Sequence, residues 1–113
     1  MKKSLKIEIT QLHAQICSGL SDPTRILILY KVAEEPINVS DLAISLDIPQ
    51  PTVSRHLKIL RERRMVNANR NGKSVIYSLS DDRIIKALDL LREVMASGLE
   101  DQVALAKTAS GNL

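Results

Sequence analysis

The sequence predicts a mainly α fold with one small β-hairpin: five helices, with the hairpin between the fourth and the fifth. Three observations predict it. Apolar residues recur at helical spacing along most of the chain. Two short strand-like runs, Val66–Arg70 and Ser74–Leu79, flank Asn71-Gly72, the strongest short-range hairpin signal. Helix-starting and helix-stopping residues fall at the junctions between the periodic segments.

The elements follow in order. Leu5, Ile9, Leu12 and Ile16 form one stripe of a first helix ending near Gly19. Asp22-Pro23 opens the second, since Asp caps and Pro suits the first helical position. It runs through Ile26-Leu27-Ile28-Leu29 to about Glu34, before Pro36. A short third helix spans roughly Ser40 to Leu46, with Leu42, Ala43 and Leu46 inward and Asp47 as a left-handed C-cap. The turn Ile48-Pro49-Gln50-Pro51 opens a fourth helix reaching about Arg64, because first-turn N–H groups need no intrahelical partner. In the second strand of the hairpin, Val75, Tyr77 and Leu79 alternate onto one face. Ser80 is expected to cap the last helix, with Asp81 and Asp82 in its first turn and Ile84, Leu88, Leu91 and Met95 as its seam. Gly98 is expected to end or kink it. The organisation expected is one domain over residues 1–98 and a partly disordered extension over 99–113.

Length and composition narrow the function. A chain of 113 residues, 44% hydrophobic and 26% charged, is an ordinary globular domain rather than a disordered or disulfide-stapled one. Trp and Phe are absent and Tyr30 and Tyr77 are the only aromatics, which argues against a single-strand reader built on base stacking. No Gly-rich phosphate loop or carboxylate pair suggests an enzyme. The apolar runs fall short of the roughly 20 residues that span a bilayer, and the N-terminus lacks a signal-peptide core. With a single cysteine, Cys17, a reducing, cytoplasmic setting is expected.

Charge is unevenly placed. The net charge is +3, yet the stretch from Gln50 to Lys73 holds Arg55, Lys58, Arg61, Arg63, Arg64, Arg70 and Lys73 against the single acid Glu62. A polyanion on one face is the implied partner. Short helix, turn, basic helix and hairpin read as a helix-turn-helix followed by a wing. At 100° per residue Val53, Leu57, Leu60 and the stem of Arg64 pack the fourth helix down, while Gln50, Pro51, Ser54, Arg55 and Lys58 face away. An amide, a hydroxyl and cations suit a DNA major groove. Thr52 and His56 complete the candidate set on that helix, His56 either packing beneath it or meeting a phosphate. Arg70 and Lys73 flank the hairpin tip, where a wing touches the DNA backbone or minor groove. Arg25 is read as structural rather than as a phosphate contact.

Leu20-Ser21-Asp22-Pro23-Thr24-Arg25, Asn38-Val39-Ser40-Asp41-Leu42-Ala43 and Gln50-Pro51-Thr52-Val53-Ser54-Arg55-His56-Leu57-Lys58-Ile59-Leu60 together resemble the ArsR/SmtB family of dimeric winged-helix repressors. The resemblance covers about Ile16 to Met95. It implies a recognition role for the fourth helix, a homodimer formed through the first and last helices, and release from a palindromic double-stranded DNA operator by an inducer. Two metal sites of that family are not matched. Asn38 and Ser40 stand where one site has cysteines. Of Asp81, Arg83, Val94 and Ser97, at the positions of the other, only Asp81 is a ligand type. No cofactor is expected. His13 and Cys17, four residues apart, are the residual metal candidates. The plainer reading, a solvated His and a small apolar Cys, is preferred. A thiol-redox regulator acting through Cys17, and a protein-interaction module whose basic surface is incidental, are the alternatives.

Overall fold

The computed structural model describes residues 1–111. Its elements, in order, are α1 (Lys3–Leu12), a π-helical turn (His13–Cys17), α2 (Pro23–Glu34), β1 (Ile37–Asn38), α3 (Val39–Leu46), α4 (Gln50–Glu62), β2 (Val66–Asn71), β3 (Ser74–Leu79) and α5 (Arg83–Gly111). They divide into two units, Met1–Asp82 and Arg83–Leu113.

In the first unit the core is aliphatic. Ile28, Leu29 and Val32 of α2, Leu42 and Ala43 of α3, and Val53, Leu57 and Leu60 of α4 are buried together with Ile37, Met65 and Val66. Asp22 caps α2 as expected, its carboxylate accepting from the Thr24 N–H at 2.8 Å. Asn38 caps α3, its side-chain oxygen accepting from the Asp41 N–H at 2.8 Å.

Both helices of the helix-turn-helix stop in the same way. Asp47 is left-handed (φ 54°), the Ile48 N–H donates to the Ala43 carbonyl at 3.0 Å and the Asp47 N–H to the Ile44 carbonyl at 3.2 Å. At the end of α4, Arg64 is left-handed (φ 60°), the Met65 N–H donates to the Leu60 carbonyl at 2.9 Å and the Arg64 N–H to the Arg61 carbonyl at 3.0 Å. Each is a Schellman ending, with apolar residues at the two positions that bracket it: Ala43 and Ile48, and Leu60 and Met65. The expected Asp47 cap is present. The left-handed Arg64 replaces the helical one expected there, and beyond the end of α4 its side chain is exposed rather than packed with Val53, Leu57 and Leu60.

The sheet has three antiparallel strands in the order β1-β3-β2. β1 was not foreseen: Ile37 lies opposite Tyr77 and Asn38 opposite Ile76. The hairpin is offset by one residue from the expectation. Asn71 pairs with Ser74, so Gly72 and Lys73 form the two-residue turn. Only Gly72 has positive φ (65°), the sign pattern of a II′ turn, which puts Gly first.

In the second unit α5 begins at Arg83, not at Ser80. The Ser80 hydroxyl instead donates to the Arg64 carbonyl at 2.8 Å, and the Ser80 N–H to the Met65 carbonyl at 3.1 Å. That ties the end of β3 to the loop after α4. Gly98 does not end the helix, which continues past it to Gly111. Of the extension over 99–113, expected to be partly disordered, residues 99–111 are helical and residues 112–113 lie outside the described residues. Leu88 is buried on α5, whereas Leu91 and Met95 are 61% and 64% exposed.

Candidate nucleic-acid interface

α4 has two chemically opposite faces. Val53, His56, Leu57 and Leu60 are buried, a spacing of three, one and three that keeps them on one side. Gln50, Pro51, Ser54, Arg55 and Lys58 are exposed, and Thr52 is half-buried. The sequence-predicted face is therefore assembled on one helix, with His56 on the other side of it.

Each end of the helix is fixed. Pro49 has extended backbone (φ −55°, ψ 136°), and its carbonyl accepts from the Thr52 and Val53 N–H groups at 3.0 and 3.1 Å. The Ser40 hydroxyl of α3 donates to Gln50 Oε1 at 3.3 Å, which occupies the amide oxygen of this exposed side chain. At the other end, the Arg63 guanidinium donates to the Ala14 carbonyl, and Gln15 Nε2 donates to the Arg63 carbonyl at 3.3 Å. Gly19 is buried there, and a Cβ on it would stand 2.7 Å from Met65 Sδ. The π-helical turn and the segment after it thus seat directly on the C-terminal end of α4.

His56 and Arg25 brace the helix from within. His56 is 8% exposed, and Arg25 Nη1 donates to its Nδ1 at 3.2 Å. Nδ1 as acceptor requires the neutral ring with its proton on Nε2. Arg25 also donates to the Gly19 carbonyl at 2.8 Å and the Ser18 carbonyl at 3.2 Å. Arg25 is structural, as expected: its partners are two carbonyls, an imidazole and the Ser21 hydroxyl. His56 belongs to this brace rather than to the exposed face. The three-residue step from Val53 was the signal available for its burial.

Partial burial pushes the Asp22 carboxyl up. The Thr24 N–H, the Arg25 N–H and the Arg25 charge oppose this, and the carboxyl is held below its ordinary value.

On the hairpin, Arg70 and Lys73 are exposed, Arg70 opposite Val75 on β2 and Lys73 in the turn. Among the described residues Arg55, Lys58, Arg70 and Lys73 form no ion pair. Their charge is available to an outside anion. His13 and Cys17 are exposed on the π-helical turn. Among the described residues no three His, Cys, Asp or Glu cluster as a metal site requires, and no helix is long and apolar enough to cross a membrane.

The comparisons agree with this geometry. The sequence model for bacterial regulatory proteins of the arsR family matches residues 22–68. A transcriptional repressor SmtB homolog of Synechocystis is 34% identical over 90 residues, covering 80% of this chain and 66% of that protein. The crystal structure of NolR from Sinorhizobium fredii superposes with a TM-score of 0.72 at 31% identity, covering 83% of this chain and 93% of that one. A homodimeric winged helix-turn-helix DNA-binding domain from Mycobacterium bovis shares the fold, with a TM-score of 0.75 at 22% identity, covering 89% of this chain and 93% of that one. The chain spans about two thirds of the length of the curated relatives it matches first. Helix-turn-helix, wing, sequence match and structural match converge: the chain belongs to the arsR family of bacterial regulatory proteins and is a winged helix-turn-helix transcriptional regulator.

Proposed function

We propose that this regulator is a homodimeric, sequence-specific repressor that binds a palindromic operator in double-stranded DNA and leaves it on a signal. The carrying observation is the face of α4: polar and cationic groups that form no ion pair among the described residues, back to back with the buried Val53, His56, Leu57 and Leu60. Gln50, Ser54 and Arg55 read base edges from the first turns of the helix, the geometry a major groove admits. Pro51, Thr52 and Lys58 line the groove and the flanking phosphates. Arg70 and Lys73 place the wing on the backbone or minor groove. His56 positions the helix from beneath.

The dimer supplies the twofold symmetry that a palindrome mirrors. Leu5, Ile9 and Leu12 of α1 are 41%, 47% and 50% exposed, and Leu91 and Met95 of α5 more so. Scattered exposed leucines are unremarkable, but these stand at helical spacing, so each stripe is a face for the partner subunit. Residues 1–98 carry DNA binding and dimerisation, with 99–113 as an extension. The protein acts in the cytoplasm and carries out no catalysis of its own. Cys17 and His13 hold no part in DNA binding.

Fluorescence anisotropy tests the reading: DNA upstream of the protein's own gene against a scrambled duplex, in moderate salt. Specific binding is expected to be tighter by roughly 10³-fold or more. Equal affinity for both duplexes overturns it and favours a protein-interaction module.

A further inference from the structure

We propose that the cleft between the C-terminal end of α4 and the edge strand β2 is a phosphate-binding site, separate from the base-reading face and from the wing tip. Its walls are Arg61, Arg64, Val66, Asn67, Ala68 and Asn69, and its volume is about 450 Å³. That is large enough for a diphosphate or for two successive backbone phosphates.

Three observations carry the assignment. First, both guanidiniums are exposed and neither takes part in an ion pair or side-chain hydrogen bond among the described residues. No acid lines the cleft. Two uncompensated guanidiniums with two carboxamides form a donor-rich set, and guanidinium is the group that grips phosphate bidentately. Second, β2 is an edge strand in the order β1-β3-β2, so its outer backbone groups are left unpaired by the sheet. The Asn67 and Asn69 side chains stand at this edge as further N–H donors. Third, the Schellman ending of α4 holds Arg64 left-handed (φ 60°), where glycine is the unstrained choice, and this fixes where its side chain leaves the backbone at the cleft wall.

The phosphates come from one of two sources. One is the DNA backbone beside the bases read by α4, which rests on the function proposed above. The other is a free phosphorylated small molecule, which does not. A double variant, Arg61→Gln with Arg64→Gly, separates them. Both positions are exposed, and glycine at 64 relieves the backbone, so the variant is expected to melt no lower than the parent.

Two readouts are taken. In operator titrations, each lost phosphate contact flattens the log–log salt slope by about 1, so the double variant is expected to lose about 2. In DNA-free protein, the Asn67 and Asn69 side-chain amide resonances are followed while inorganic pyrophosphate is added. A flattened slope without amide shifts assigns the cleft to the DNA backbone. Saturable amide shifts in the parent that vanish in the variant assign it to a free phosphorylated ligand. An unchanged slope with no amide shifts overturns the proposal. If the parent shows no specific DNA binding, the functional reading fails on its own, and the pyrophosphate titration alone decides the cleft.

Discussion

Arg25 on α2 donates a hydrogen bond to the buried Nδ1 of His56 on α4, at 3.2 Å, while the same guanidinium holds the Gly19 and Ser18 carbonyls. One side chain thus joins the segment before α2 to the underside of the helix whose opposite face is exposed, polar and cationic. Charge-assisted hydrogen bonds of this kind contribute about 1.5–3 kcal/mol each at most, less where water competes. Arg25→Ala is therefore expected to destabilise the fold by about 2–3 kcal/mol in urea unfolding. Arg25→Lys is expected to recover little of it, because an ammonium cannot span the imidazole and both carbonyls at once. Full recovery by lysine would show that only the charge matters.

Gly19 is where the first segment touches the loop after α4. A Cβ there would stand 2.7 Å from Met65 Sδ, and Met65 is fully buried. Gly19→Ala is expected to cost about 1–3 kcal/mol, since a packed core must shift to admit the methyl. The companion change Met65→Ala should make Gly19→Ala less costly than it is in the parent. Additive losses in that double-mutant cycle would place the clash elsewhere.

Asp22 gives a pH signature. Its carboxyl titrates lower in the folded chain than in the unfolded one, whose ordinary value is 3.8. The unfolded state therefore binds the proton first as pH falls. The contribution is complete above the ordinary value and disappears as pH drops through the lower folded value. Asp22→Asn keeps an oxygen acceptor for the Thr24 N–H but removes the charge. The urea midpoint of the variant is expected to depend less on pH below about pH 4 than that of the parent. Identical acid limbs would remove Asp22 from the balance.

The exposed stripes of α1 and α5 give a mass. Light scattering at micromolar concentration is expected to return twice the 12.5 kDa of one chain. Leu12→Glu and Met95→Glu each place a charge on one of the two stripes and are expected to shift the protein toward monomer. A 12.5 kDa parent would rule the dimer out.

Much of this was legible in the chain because the signals were local. The Asp22 and Asp47 caps and the packing of Val53, Leu57 and Leu60 are each written within one turn of helix. What escaped depends on partners far along the chain. β1 is two residues long and exists only because β3 lies beside it. Ser80 has the chemistry of a helix cap, but the Arg64 carbonyl lies within its reach and takes its hydroxyl. Asn71-Gly72 marks a hairpin without fixing its register, and the pairing of Asn71 with Ser74 moves the turn to Gly72-Lys73. Gly98 weakens a helix by only about 1 kcal/mol, too little to break the long periodic run around it. For the site, the exposed face of α4 followed from 3.6-residue periodicity. The burial of His56 was obscured because its ring is polar and its partner, Arg25, lies 31 residues away.

In the proposed function α4 reads bases through Arg55 and its neighbours. Selection from a random duplex library by the parent and by Arg55→Ala tests it most directly. The parent is expected to enrich a palindromic motif. The variant is expected to bind that motif about 1–3 kcal/mol more weakly and to lose preference at one position in each half-site. An identical motif at unchanged affinity from the variant, or no motif from the parent, would contradict the account.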